Sequence, residues 1–295
     1  MMKVLVTGVT GFIGGALVRR LVREGWDVSI VVREESDISG LTDVISYIDK
    51  FIYDGSTESL IEILSVSKPE LIYHLASLFL SEHLPPDVTR LIQSNVLFGT
   101  QLLEAMRVNS VKNIVNAGTS WQYYHSSEYR ASNLYAATKQ AFEDILSFYS
   151  DKYSISQVTL KLFDTYGPDD KRRKLVNLVV NAIKTNVELG VSPGEQIIDI
   201  SFIDDVVEEF YQCGKYLHLS SDCLSEAYFV SGERFTVKGL VEQIANAYGQ
   251  QGNILFGARP YRDREVMTLP EVSGKTSPWS KNKKITPLSL GVLKI

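Results

Sequence analysis

The stretch VTGVTGFIGG, Val6 to Gly15, puts four glycines into ten residues directly after the apolar opening MMKVLV. Glycine inside a regular element is less favourable than alanine by about 0.5–1 kcal/mol, so the cluster marks a backbone that turns sharply or is closely approached. Val4 to Thr7 reads as a buried strand. The following residues carry apolar side chains at Phe12, Ile13, Ala16, Leu17, Leu21 and Val22, the spacing of a helix with one buried stripe, and Gly25 ends it. The glycines therefore occupy a strand-to-helix turn, where backbone N–H groups and the positive end of a helix dipole attract phosphate. Of Gly8, Gly11 and Gly14, spaced GxxGxxG, one serves a tight turn, one the approach of a pyrophosphate and one the close packing of helix on sheet. Phe12 and Ile13, which open the helix, are counted with the same cofactor site. The Gly-Lys-Ser/Thr ending of a triphosphate loop is absent, and the expected ligand is a dinucleotide.

Outward from this turn, short β-branched runs alternate with helical stretches. DVSIVVR and ISYIDKFIYD contain strands, TESLIEILSVS is a helix, and ELIYHLA is a further strand. Helices at residues 89–110 and 134–153 flank the strand VKNIVNAG, and SQVTLKLF follows as another strand. Strands separated by helices of this length build right-handed crossovers, so the expected fold is α/β with a doubly wound (Rossmann) parallel sheet. The rhythm changes after YGPDD. Residues 1–166 are expected to form a dinucleotide-binding domain with 196–212 packing back onto it, and residues 167–295 a smaller substrate-binding lobe. ELGVSPGE reads as a loop.

Of the 295 residues, 44% are hydrophobic and 22% charged, with a net charge of −5, which opposes nucleic-acid binding. No apolar run reaches the roughly 18 residues of a membrane span, no signal peptide is visible, and a cytoplasmic location is expected. Cys213 and Cys223 lie outside any zinc-ligand spacing and read as reduced packing residues, so no metal is expected.

The adenosine ribose of a dinucleotide meets the end of the second strand, where an acidic side chain suits NAD and a basic one suits the 2′-phosphate of NADP. That strand ends VVREE. Arg33 points to NADP(H), while Glu34 and Glu35 keep NAD(H) open; Asp54, after the third strand, is placed to reach the adenine amino group. In NLYAATKQAFEDIL, Tyr135 and Lys139 stand four residues apart and share a helix face. A neighbouring ammonium favours the phenolate and lowers a phenol's pKa from about 10. NAGTSW supplies hydroxyls at Thr119 and Ser120 at the end of the intervening strand.

The segments TGVTGFIGG, YHLAS, SNVLFGTQLLEA, NAGTS, YAATK, LFDTYGP and DISFIDDVV follow in order the landmarks of the extended short-chain dehydrogenase/reductases, and the chain resembles that family over nearly its whole length. The resemblance is nearest to the members acting on nucleotide-diphosphate sugars, and NAGTSWQ, NLYAATKQAFEDIL and RPYRDREVM are similar to the CDP-abequose and CDP-paratose synthase branch of 4-ketoreductases. It implies Thr119, Tyr135 and Lys139 as catalytic residues, with Ser120 in reserve. It also implies Leu75, Ala76, Ser77, Asn95 and Phe163 at the cofactor, and Ser120, Gln122, Asp164, Asn177 and Arg262 at the sugar nucleotide. The arginine usual two residues after the Gln of GEQ is Ile198, so Arg262 or the run Lys171 to Lys174 is expected to take over the diphosphate; a solvated loop is the other reading of that run.

The expected reaction is reduction of a CDP- or dTDP-linked 4-keto-deoxyhexose; the alternative is a 4-epimerase with tightly bound NAD. A 4,6-dehydratase would want an Asp-Glu pair after the catalytic hydroxyl, where this chain has SWQYY. A cofactor-sensing relative would have lost Tyr135 or Lys139. Both long helices are apolar around more than one face, and with the resemblance this implies a homodimer through residues 89–110 and 134–153.

Overall fold

The computed structural model describes residues 1–272, 275–280 and 284–295. In chain order its strands are β1 (Lys3–Thr7), β2 (Asp27–Arg33), β3 (Ile48–Tyr53), β4 (Leu71–His74), β5 (Asn113–Thr119), β6 (Ser156–Leu162), β7 (Asp164–Tyr166), β8 (Leu189–Val191), β9 (Ile197–Phe202), β10 (Ser225–Val230), β11 (Glu233–Thr236) and β12 (Ile254–Phe256). Its helices are α1 (Phe12–Arg23), α2 (Thr57–Ser67), α3 (Asp87–Ile92), α4 (Phe98–Val108), α5 (Leu134–Tyr153), α6 (Leu175–Thr185), α7 (Ile203–Leu219), α8 (Val237–Tyr248) and α9 (Leu288–Gly291). The chain divides into two compact units, the first Met1–Thr119, Asn133–Lys161 and Val207–Tyr228, the second Ser120–Ser132, Leu162–Val206 and Phe229–Ile295.

A seven-stranded sheet runs β10-β6-β5-β4-β1-β2-β3. β1 pairs in parallel with β2 and β4, β2 with β3, and β4 with β5. Strand order reverses between β1 and β4, which makes the fold doubly wound and leaves a crevice outside the carboxyl ends of those strands. β4 shows why the sheet strands read as continuous apolar runs: both faces are covered. Tyr73 turns to one face, where its hydroxyl donates to the Phe210 carbonyl at 3.2 Å and its ring lies 6.4 Å from Trp26. Ile72 turns to the other and joins Leu5, Leu64, Leu102, Leu103 and Phe142 in one buried cluster.

Local chemistry sets the helix ends. The Ser56 hydroxyl accepts the Ser59 N–H at 3.1 Å and starts α2, and Lys68 at φ 45° ends it. The single helix expected at 89–110 is instead α3 and α4 joined by a π-turn over Gln93–Leu97. The widened turn shifts the helix faces relative to one another, and the polar Asn95 is buried within it.

In the second unit, β7 pairs in parallel and β11 antiparallel with β9. The buried Asp199 ties this sheet together, accepting the Gly232 N–H at 2.7 Å, the Arg234 guanidinium at 3.0 Å and the Ser231 hydroxyl. The expected loop ELGVSPGE contains the three-residue strand β8, whose partner β12 lies more than sixty residues further along. Both cysteines are free thiols, but only Cys213 is buried; Cys223 is exposed just before β10, so the packing role read for it does not hold. Among the described residues no helix is long and apolar enough to cross a membrane.

Candidate active site

A cleft of about 580 Å³ opens beyond the carboxyl ends of β1 to β4. Gly8 and Gly11 form its floor, with Leu75, Ala76 and Ser77 along one wall and Arg33 at the β2 end. Gly8 has φ +74°, and a Cβ on it would lie 2.5 Å from the Ala76 nitrogen and the Leu75 carbonyl carbon. A Cβ on Gly14 would lie 2.2 Å from the Gly8 carbonyl oxygen, so the helix start and the turn interlock only without side chains. Phe12, Ile13 and Gly14 form the first turn of α1, where Gly11 provides no side-chain cap and no acidic residue intervenes. The positive end of the helix dipole therefore meets the cleft with no acidic side chain in the first turn beside it.

The remaining lining combines Ser36, Tyr53, Gly55, Arg90, Gln93 and Ser94 with apolar groups from β2 and from the α3–α4 segment. Sequence reading did not single these residues out, because no local spacing links β3 or the π-turn to the glycine loop. Arg33 is exposed and pairs with Glu35 at 3.2 Å, while its N–H donates to the Ser36 hydroxyl at 3.0 Å. Asp54 is held from one side: its Oδ1 accepts the Ser56 N–H at 2.8 Å and the Ser56 hydroxyl at 2.7 Å.

β5 delivers the buried Thr119 to the same sheet edge, and α5 carries Tyr135 and Lys139 one turn apart. The Asn133 side chain starts that helix by accepting the Ala136 N–H at 2.9 Å, and its amide donates to the Ser81 carbonyl at 2.9 Å. Tyr135 stands edge-on to Phe79, ring centroids 5.0 Å apart. Asn95 clamps the segment after β4 to α5: it accepts from the Leu78 N–H at 2.7 Å and donates to the Thr138 hydroxyl at 2.9 Å. Lys139 is only 1% exposed, and burial lowers its ammonium from 10.5 to about 8 despite the opposing Glu143 carboxylate. Beneath it, His74 is fully buried with Nδ1 3.0 Å from the Thr7 hydroxyl. Burial, reinforced by the Lys139 charge, pushes His74 down from 6.5 to about 3, so its ring is neutral.

The second unit holds the other expected residues. Ser120 and Gln122 are buried in a short 3₁₀ turn with Trp121 between them. The Trp121 ring has the Arg262 guanidinium 5.6 Å and the Lys174 ammonium 5.9 Å from its centroid. Lys174 pairs with Asp164 at 3.1 Å, and Arg262 approaches Glu265 at 3.5 Å. Arg172 binds the buried Asp170 carboxylate at 2.7 Å, so the basic run is anchored at Arg172 and Lys174 rather than freely solvated. Asn177 donates to the Asp170 carbonyl at 2.9 Å, and its buried side-chain oxygen has no partner. Phe163 stacks on Phe229 at 5.6 Å. Among the described residues no group of His, Cys, Asp or Glu is placed to hold a metal ion.

Comparison with known proteins places this geometry in context. The profile of the NAD dependent epimerase/dehydratase family matches residues 4–223. A CDP-abequose synthase of Yersinia pseudotuberculosis is 27% identical over 267 residues, 90% of this chain and 91% of that protein. A UDP-glucose 4-epimerase of Mycolicibacterium smegmatis is 27% identical over 72% of this chain and 73% of its own length. Among solved structures, the UDP-glucose 4-epimerase of Thermus thermophilus, in complex with NAD, superposes with a TM-score of 0.81 at 22% identity, covering 99% of this chain and 98% of that one. The last likeness establishes a shared fold.

The neutral His74 has a measurable consequence. Its value falls from 6.5 in the unfolded chain to about 3 in the folded one, so its contribution to stability is complete above pH 6.5 and is lost as pH falls toward 3. Denaturant titrations across that interval are expected to show wild type losing up to about 1.4 kcal/mol per pH unit more than a His74→Asn variant. Parallel stability curves for the two proteins would remove the basis for a buried neutral ring.

Proposed function

The chain belongs to the NAD-dependent epimerase/dehydratase family, and on that premise we propose that it reduces the C4 carbonyl of a CDP- or dTDP-linked deoxyhexose with NADPH. The observation that carries this reading is the pairing on α5 of Tyr135 with a buried Lys139 one turn later. The similarity to CDP-abequose synthases over 90% of the chain supports the reductive branch. A cytoplasmic location goes with it, because nucleotide sugars and NADPH are cytoplasmic metabolites.

The residues of the cleft fit a nicotinamide dinucleotide. The Gly8–Gly14 cradle, which a Cβ would fill, and the uncapped start of α1 hold the pyrophosphate; Leu75, Ala76, Ser77 and Asn95 shape the adjoining wall. When bound, the nicotinamide supplies a hydride to the sugar carbon. The Tyr135 phenol donates its proton to the carbonyl oxygen as that oxygen becomes an alkoxide, so the carbonyl gains one hydride and one proton. The Thr119 hydroxyl donates to the same oxygen, and its help grows as charge develops. Lys139 holds the nicotinamide ribose and keeps a positive charge beside the phenol, which favours its departure as phenolate. In the second unit, Arg262 and Lys174 supply cations for the substrate diphosphate, with Ser120, Gln122, Asp164 and Asn177 as polar contacts for the sugar nucleotide.

Arg33, standing where an acidic residue would accept a ribose hydroxyl, favours the 2′-phosphate of NADPH. The exposed apolar side chains Ile92, Val108 and Phe148 on the two long helical segments favour a homodimer through them. A second reading, 4-epimerisation with retained NAD, is supported by the similarity to the M. smegmatis UDP-glucose 4-epimerase.

Purified protein is expected to oxidise NADPH with CDP- or dTDP-4-keto-deoxysugars. Protein that carries extractable NAD and leaves NADPH untouched would favour the epimerase. Tyr135→Phe should lower turnover about 10²-fold or more while cofactor affinity stays nearly constant. For Arg33→Asp, fluorescence titration should find NADPH binding weakened about tenfold or more, or about 1.4 kcal/mol, with NADH little changed; equal losses for both cofactors would deny Arg33 its selectivity. Light scattering at micromolar concentration should give twice the chain mass, and a monomer would refute the helix-mediated dimer.

A further inference from the structure

On the sheet face that α5 covers, three charged side chains are packed largely away from water. Lys139 and Glu143 follow one another at i and i+4 along α5, and Glu143 Oε2 lies 2.9 Å from Lys161 Nζ of β6. The Glu143 and Lys161 side chains are 13% and 6% exposed. Glu143 Oε1 is buried and accepts no hydrogen bond. The space they occupy exists because residue 118 is glycine: a Cβ there would lie 2.7 Å from Thr159 Cγ2, 3.0 Å from Glu143 Oε1 and 3.2 Å from Lys161 Cγ. Gly118 immediately precedes Thr119 on β5, so the carboxylate from α5 packs against the strand one residue before the candidate hydroxyl.

We propose that Glu143 is a positioning residue for Lys139: Lys161 pins one carboxylate oxygen, and the remaining charge holds the Lys139 ammonium protonated and in place beside Tyr135. This rests on the reading of Tyr135 and Lys139 as the proton-donating pair. A buried ammonium sheds its proton unless an anion is near, and truncating one member of such a cluster exposes the others. Other groups facing Lys139 do not supply that anion. His74, from β4, is neutral, Phe142 offers a ring face at 6.0 Å, and Tyr135 carries the reacting phenol. The same carboxylate is thus shared between two cations, and each competes for it.

Competition makes the test directional. In protein carrying ¹³Cε-labelled lysine, the Lys139 resonance, assigned by its loss in Lys139→Met, should titrate with a midpoint near 8 in wild type. Glu143→Gln, nearly isosteric, should move that midpoint down by about one pH unit. Lys161→Met, which removes the competing cation, should move it up. The alkaline limb of the pH profile for carbonyl reduction should shift in the same two directions. A merely structural role for Glu143 would depress turnover at every pH and leave both midpoints where they are, and that result overturns the proposal. The resonance needs neither cofactor nor substrate, so shifted midpoints in a protein that reduces no keto-sugar would count against the functional reading and leave the charge coupling standing. If Glu143→Gln fails to fold, Lys161→Met alone decides, since an unchanged or lowered midpoint there contradicts the shared carboxylate.

Discussion

The close approach of backbone to backbone between Gly8 and the Leu75–Ala76 peptide is the constraint on which the cofactor cleft depends. β1 and β4 are neighbours at the point where strand order reverses, and their exits must pass each other before the helices that follow can diverge. Any side chain at residue 8 would occupy the position of the Leu75–Ala76 peptide. The Thr7 hydroxyl reinforces the same junction: it lies 3.0 Å from His74 Nδ1 and accepts the Ala76 N–H at 3.2 Å. A turn held this closely leaves the first turn of α1 at the crevice, as the proposed pyrophosphate site requires.

A second feature is the amount of polarity buried on the α5 face of the sheet. His74, Asn116, Thr159, Lys139, Glu143 and Lys161 occupy positions that the opposite face fills with Leu17, Leu21, Phe210 and their neighbours. Asn116 donates to the Thr159 hydroxyl at 3.1 Å, but its oxygen, His74 Nε2 and Glu143 Oε1 lack partners. Buried polar atoms left in that condition oppose folding by about 1–3 kcal/mol each, so an apolar layer would be the more stable choice. Their concentration around Lys139 is what the proposed proton transfer in a low dielectric requires. On the proposed reading, stability and chemistry pull this layer in opposite directions, and its composition follows the chemistry.

The second unit solves a different problem with the same means. Asp199 and Asp170 carry fully buried carboxylates, each tied to an arginine and to a backbone amide, and they fix β9, β11 and the segment before α6. Trp121 gives Lys174 and Arg262 a common ring to rest on, which keeps two flexible cations in defined places.

Much of this was legible in the amino-acid sequence because it is local. The glycine spacing, the alternation of strands and helices and the one-turn separation of Tyr135 and Lys139 are each set within a few residues along the chain, where backbone geometry leaves few choices. The doubly wound sheet follows from that alternation. What the sequence could not give by itself depends on residues far apart meeting: the strand β8 needing β12, the contribution of Tyr53 and Gln93 to the cleft, and the Glu143–Lys161 pair over Gly118. Those were decided only by the tertiary structure, because burial and the charge state of a buried group are set by neighbours across the sheet rather than along the chain.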